Sequence, residues 1–402
     1  MGVEPNGAYG VDLSGGGSLA DLRFVEASPV LGLTVMADES TLQRPTQVRN
    51  KMFGFAKPTF ELTSHLCGSG QTLNAASTPT LTTQNAVIGS ILGGYSGSNA
   101  GTQFVSAASN VYTVTATHGA RFPGGSVAWI EVTTNVFEPT VIVSNTANTI
   151  TLGWLPSAVP AASNRILNSQ HMYPEDPTIA QTSLQALWET QNREHIFLLC
   201  GLQATSFGID LTLEQPSKWT ASLAGQRYLH DDDIATPVGG SPIGTATYNG
   251  GEPVLTKKGG FLFGPIASTT RTHVCESELA FSPGISHVPV QCASEESGIK
   301  QMFRQITEST LSFKMNIDDT NVKDLRAAMA AKTLYKGLWW ASGVPGDQRA
   351  LVFSSMQITA VDEAGDLNGL RAAQVTCTLQ EDQLTVGASN GFGRAPYRLA
   401  VS

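Results

Sequence analysis

The chain has 402 residues and a formal net charge of −9, from 24 Lys and Arg against 33 Asp and Glu, a length that accommodates two or three domains with substantial cores. Charged residues are scarce at 14% and Gly reaches 40 residues, a balance that points to strands and turns rather than amphipathic helices. The longest basic run is Lys257-Lys258, which excludes a basic stripe gripping nucleic acid, and no apolar run approaches the ~18 residues of a membrane-spanning helix.

The first 21 residues, MGVEPNGAYGVDLSGGGSLAD, lack a basic region followed by an apolar one, so they read as a glycine-rich arm rather than a signal peptide. Leu22 to Leu66 is strand-rich and interrupted by a polar excursion, ADESTLQRPTQVRN (37–50). It ends in TFELTSHL, 59–66, whose counterpart is TLSFKMNI, 310–317, at an offset of 251. The second copy alternates polar and apolar residues throughout, the period of a half-buried strand. A second long polar loop, about Cys292 to Gln305, echoes the excursion at Met36 to Asn50, and loops of that length inside a compact unit are usually functional.

A short helix is expected after each amphipathic strand. Thr83 precedes Val87, Ile88, Ile91 and Leu92, with Gly93-Gly94 as the stop. Asp319, Thr320 or Asn321 caps the other, which carries Val322, Leu325 and Met329 on one face. The closing strand pairs also repeat. Leu202-Gln203-Ala204-Thr205 aligns with Met356-Gln357-Ile358-Thr359 at an offset of 154, and Thr220–Leu223 with Thr376–Leu379 at 156.

The spacing locates an insertion. Leu66 and Gln203 are 137 residues apart, Ile317 and Gln357 only 40, an excess of 97. Residues 101–167 supply most of it as short strands between turn signals, a small barrel or sandwich, and Thr178 to Glu189 reads as a further helix. Residues 231–253 have the composition of a linker, and 386–402 read as a loosely patterned arm.

Chemical constellations are weak. His273, Cys275, His287 and Cys292 lack a second pair at ligand spacing, and the parity of a strand puts His287 and Cys292 on opposite faces. His230-Asp231-Asp232-Asp233 lacks the Gly and distal Glu of a calcium loop and reads as solvated linker. Ser69, Ser96 and Ser98 complete no nucleophile elbow, and Gly391-x-Gly393 no dinucleotide fingerprint. Cys67, Cys200, Cys275, Cys292 and Cys377 form no disulfide framework, which fits synthesis in a reducing cytosol. Trp339-Trp340 would place one ring in the core and the other against a partner. No catalytic, cofactor-binding or metal residue is assigned, and no enzymatic activity is expected.

The stretches TLSFKMNIDDTNVKDLRAAM and VFSSMQITAVDEAGDLNGLRAAQVTCTLQ, with their degenerate copies around TFELTSHL and LLCGLQATSF, resemble the major tail tube proteins of long flexible-tailed bacteriophages whose tube domain is duplicated. The resemblance implies a mainly β fold of two tandem β-sandwich or barrel domains, each with a flanking short helix, plus a small inserted β-domain. The first would comprise 22–100 and 168–230, the second 254–385, and the insertion 101–167 would project outwards. It further implies trimeric, pseudo-hexameric rings stacked into a virion tail tube, with a tape measure inside, terminator and distal tail proteins at the ends, and DNA passing without specific binding. No membrane and no cofactor are implied. Glu61, Asp318 and Asp319 are then candidates for the lumen, and Asp38, Glu39, Arg44, Glu295 and Glu296 for loops reaching the next ring. The alternative is a virion adhesin or capsid decoration protein that binds the host surface through the insertion.

Overall fold

The computed structural model describes residues 2–3, 22, 24–30, 33–37, 51–56, 58–69, 82–96, 100–175, 183–189, 196–211, 215–230, 259–274, 276–291, 299–316, 319–341, 345–367, 370–385 and 391–402. The protein is mainly β. It opens with β1 (Gly2–Val3), β2 (Glu26–Val30), the hairpin β3 (Leu33–Ala37) and β4 (Lys51–Ala56), and β5 (Thr59–His65). Helix α1 (Thr83–Leu92) and β6 (Gly93–Ser96) follow. The next six strands close into a barrel: β7 (Thr102–Ala108), β8 (Val111–Val114), β9 (Val127–Thr133), β10 (Val136–Asn145), β11 (Thr149–Leu152) and β12 (Arg165–Leu167). Then come β13 (Gln170–Pro174), β14 (Leu184–Glu189), β15 (Ile196–Asp210), β16 (Lys218–Ala224) and β17 (Arg227–His230). The last part begins with β18 (Gly259–Pro265), β19 (His273–Val274), β20 (Glu276–Ser282), the hairpin β21 (Ile285–Gln291) and β22 (Ile299–Ile306), and β23 (Thr310–Asn316). It ends with α2 (Asp319–Ala330), β24 (Leu334–Ala341), β25 (Arg349–Leu367), β26 (Leu370–Leu379), α3 (Gly391–Arg394) and β27 (Tyr397–Val401).

The ladders arrange these strands in two layers. One is a run of antiparallel neighbours in the order β2-β5-β16-β15-β20-β23-β26-β25. The other consists of β1-β14-β15-β17 and β6-β13-β27-β25-β24-β18-β19. Strands β15 and β25 serve both layers, each through its two halves. The main core lies between the layers: Phe60, Leu62, Leu223, Phe281, Leu311, Phe313 and Val375 from the first meet Leu199, Phe261, Trp339, Phe353 and Leu399 from the second. Edge-to-face contacts of Phe261 with Phe313 (5.0 Å) and Phe281 with Tyr397 (4.8 Å) lock the two together.

The same local construction occurs twice. In β15 the pairing with β16 slips between Ala204 and Ser206, and Thr205, the extra residue, donates from Oγ1 to the Ser222 carbonyl at 3.0 Å. In β25 it slips between Ile358 and Ala360, and Thr359 Oγ1 donates to the Thr376 carbonyl at 3.1 Å. A bulge turns a strand by adding one unpaired residue, and here it marks where each strand changes layer. These pairings place Leu223 opposite Ala204 and Cys377 opposite Ile358, so the second strands correspond at an offset of 154 and not the expected 156. The offset of 251 between β5 and β23 stands, since Phe60 faces Leu223 as Leu311 faces Cys377.

The helices form where expected. Thr82, one residue before the expected start, caps α1 by accepting from the Asn85 N–H (3.2 Å), and Gly93 ends the helix at φ +93°. Val87, Ile88, Ile91 and Leu92 are buried, and so are Gln84 and Asn85. Gln84 pairs with both backbone groups of Cys67, and Asn85 donates from Nδ2 to Gln170 Oε1 at 2.6 Å, so each buried amide is anchored by a hydrogen bond. On α2, Leu325 is buried, with Val322 and Met329 half-buried against the core.

Several expectations are corrected. Leu184–Glu189 is strand, not helix, because β15 and β1 flank it and Leu184 pairs with Leu202; 178–182 lie outside the described residues. Gly2–Val3 belongs to a sheet rather than an arm, while 4–21 lie outside the description. The supposed C-terminal arm contains β27, buried along its length between β13 and β25. Residues 101–167 contain the closed barrel, which is seated on the second layer. Val127, Trp129, Val141 and Trp154 share a core with Leu262, Leu338, Trp340 and Val352. Lys336, 1% exposed, donates from Nζ to the Gly153 carbonyl at 2.6 Å beneath the Trp154 ring, and burial lowers its pKa to about 8. Trp339 and Trp340 do face opposite ways, but the partner of Trp340 is this chain's own barrel.

Candidate assembly face and edges

Alternation along the first layer gives it one greasy face and one open face. In β5, Phe60, Leu62 and Ser64 are buried while Thr59 and Glu61 are exposed. In β16, Trp219, Ala221 and Leu223 point inwards and Thr220 outwards. Ladder partners share a face, so the open side can be read as rows across the sheet. One row runs Ser28, Glu61, Ser222, Ser206, and another Glu26, Thr63, Thr220, Gly208. A third runs His65, Lys218, Asp210, Ala280, Ser312, Thr376, Ala360, and a shorter one Lys314, Gln374, Asp362.

This face is built mainly of hydroxyl and small side chains. Its described charges are Glu26, Glu61, Asp210 and Asp362 against Lys218 and Lys314, with Lys218 directly opposite Asp210 and Lys314 in the row of Asp362. With one lysine directly opposite an acid and the other two strands from one, the described residues make no basic track for phosphates, and their surplus is acidic. His65 also lies here; burial, and then the nearby Lys218 and Arg349, lower its pKa, so it adds no positive charge at neutral pH.

Among the described residues the sheet is continuous but open. Halfway across it, β15 joins β20 through Ile209↔Phe281 and Asp210↔Ala280, with both apolar side chains buried. Beyond that joint β21 folds back over β15, and the His287 ring donates from Nδ1 to the Ala204 carbonyl at 2.6 Å. At the two ends of the run, among the described residues, β2 has a ladder only with β5, and β25 beyond Ala360 only with β26. Exposed Phe24, Val25 and Val30 lie on or beside the β2 edge.

Of the expected site residues, Glu61 lies on the open face. Asp319 begins α2, with its side chain outside the description. Asp318, Asp38, Glu39, Arg44, Glu295 and Glu296 all lie outside the described residues. Glu26, Lys218, Asp210, Lys314 and Asp362 were missed. Alternation on β5 led to Glu61, and the same test on β2 and β16 would have found Glu26 and Lys218.

His273 stacks edge-on against Trp340, and among the described residues no group of three or more His, Cys, Asp or Glu is placed to hold a metal. A cleft of about 360 Å³ beside α2 is lined by the stacked rings of Phe263 and Tyr335, with Asp324 as its one lining carboxylate. Compared with known proteins, the chain matches no family model and no curated protein.

Proposed function

We propose that this chain is a structural subunit of a phage tail tube, assembling through the β2 and β25 edges into rings that stack around a bore. The observation that carries the reading is the joint within the sheet. Two halves with the same ladders and the same bulge are joined by β15 and β20, and the edges left over, β25 and β2, are the counterparts of the two that joined. On this reading 22–100 with 168–230 and 254–385 are duplicated tube domains, and 101–167 is an insertion in the first. A head-to-tail contact of this kind closes a ring when its rotation closes. Eight strands in each of three chains make 24, which at ~4.8 Å per strand gives a barrel at least roughly 37 Å across at the backbone.

The open hydroxyl-rich face would line the bore, where DNA passes because the two lysines are outnumbered by acids and form no basic track to retain it. Ring closure also disposes of both unpaired edges. Other tail proteins, a tape measure inside and terminator and distal proteins at the ends, are the partners this reading requires. The test is negative-stain microscopy and light scattering of the purified full chain. Rings of three chains, or tubes built from them, are expected; a monomer that persists across concentration and salt overturns the proposal.

A further inference from the structure

We infer that the two free edges join chain to chain in the register of the β15–β20 joint, and that Pro29 and Glu363 restrain this joining until a growing end is available. The inference rests on the ring reading above and specifies how that contact is regulated.

The register follows from positions already on the sheet. The Thr205 and Thr359 bulges tie β15 to β25 at an offset of 154, so Glu363 occupies the place of Ile209. On the other side, Pro29 faces Phe60 as Phe281 faces Leu311, so Pro29 occupies the place of Phe281. Strand β25 continues to Leu367, which leaves backbone at 363 and 364 to pair with 29 and 28 of a second copy.

The substitutions at those places are informative. Within one chain the joint closes over two buried apolar side chains, Ile209 and Phe281. Between chains it would close over Glu363, whose side chain is 63% exposed and paired with the equally exposed Arg371 at 3.3 Å, and over Pro29, which lacks an N–H. A charge at an inward position and a proline are two devices by which edge strands avoid indiscriminate pairing. The inner joint therefore forms on folding, while the outer one is weakened and waits for neighbours already in place.

Two experiments on the full-length chain test this. First, Glu363→Ile and Pro29→Phe, singly and together, write the residues of the inner joint into the outer one. The double variant is expected to assemble without lag at a concentration about tenfold or more below wild type, the scale of exchanging a charge for a buried apolar side chain. Pro29→Val replaces Pro29→Phe if the larger ring disturbs β2 packing. Second, Ser28→Cys with Ala364→Cys should give interchain disulfides on oxidation, and Ser28→Cys with Asp362→Cys should give markedly fewer. Wild-type chain sets the background for both pairs.

Rings that form without the 28–364 link, or variants that leave the onset concentration unchanged, overturn the register and the restraint but leave the tube reading standing. Chains that stay monomeric with every variant overturn both.

Discussion

Asp382→Ala removes the carboxylate that meets Arg398 Nη2 at 2.6 Å, with both side chains fully buried. The guanidinium keeps its bonds from Nε to the Phe392 carbonyl (2.7 Å) and from Nη1 to Ser354 Oγ (2.5 Å), and it still lies over the Phe392 ring. Its charge, however, is left without a counter-charge in the interior, where burial already lowers the Arg398 pKa. Breaking one side of a buried pair costs about 3–5 kcal/mol. Asp382 also organises the turn that follows, accepting from the Leu384 and Thr385 N–H groups (2.7 and 3.1 Å) and the Thr385 hydroxyl (2.6 Å). Loss of these adds about 1 kcal/mol, for an expected total of about 4–6 kcal/mol. Asp382→Asn keeps much of the turn but not the charge, and should cost about 2–4 kcal/mol. Asp382→Asn with Arg398→Met leaves no buried charge and should recover to about 1–2 kcal/mol. The assay is urea unfolding at neutral pH, read as a midpoint shift at constant slope. An alanine variant within about 1 kcal/mol of wild type, or a double variant no better than the asparagine single, would refute the reasoning.

Thr205→Val and Thr359→Val each delete one bulge-anchoring bond, so each should cost about 0.5–1.5 kcal/mol, and the two costs should agree closely. Unequal effects in urea unfolding would show that the bulges are not equivalent. His171 is buried, accepts the Val127 N–H at Nε2 (2.8 Å), and has its pKa lowered to about 3 by burial and then by Arg398. Between that value and the ordinary 6.5 the unfolded chain binds more protons than the folded one. Stability is therefore lost as pH falls through this window, by about 2–3 kcal/mol from this group at pH 4.5. His171→Gln should flatten that part of the profile when unfolding midpoints are compared from pH 7.5 to 4.5. An unchanged slope would show that His171 does not carry it.

What was legible in the sequence was what local periodicity encodes. Alternation in 59–66 and 310–317 and the cap of α1 depend on neighbours within a turn or two, and the match of Gln203 with Gln357 needs only the comparison of one short stretch with another. They sufficed for a mainly β chain, a barrel-like segment near 101–167, and Glu61 on an open face. Tertiary structure decided the rest, because a ladder partner can lie anywhere in the chain. Leu184–Glu189 is a strand only because Leu184 meets Leu202 and β1 lies alongside. Tyr397–Val401 became a buried strand because β13 and β25 left a slot between them, and Arg398 could enter the interior only with Asp382 there to receive it. The barrel rests on the second layer because Trp340 and Lys336 present a surface that no periodicity assigns to it. The open edges were equally hidden: whether β2 or β25 has one neighbour or two depends on which strands the fold brings beside it.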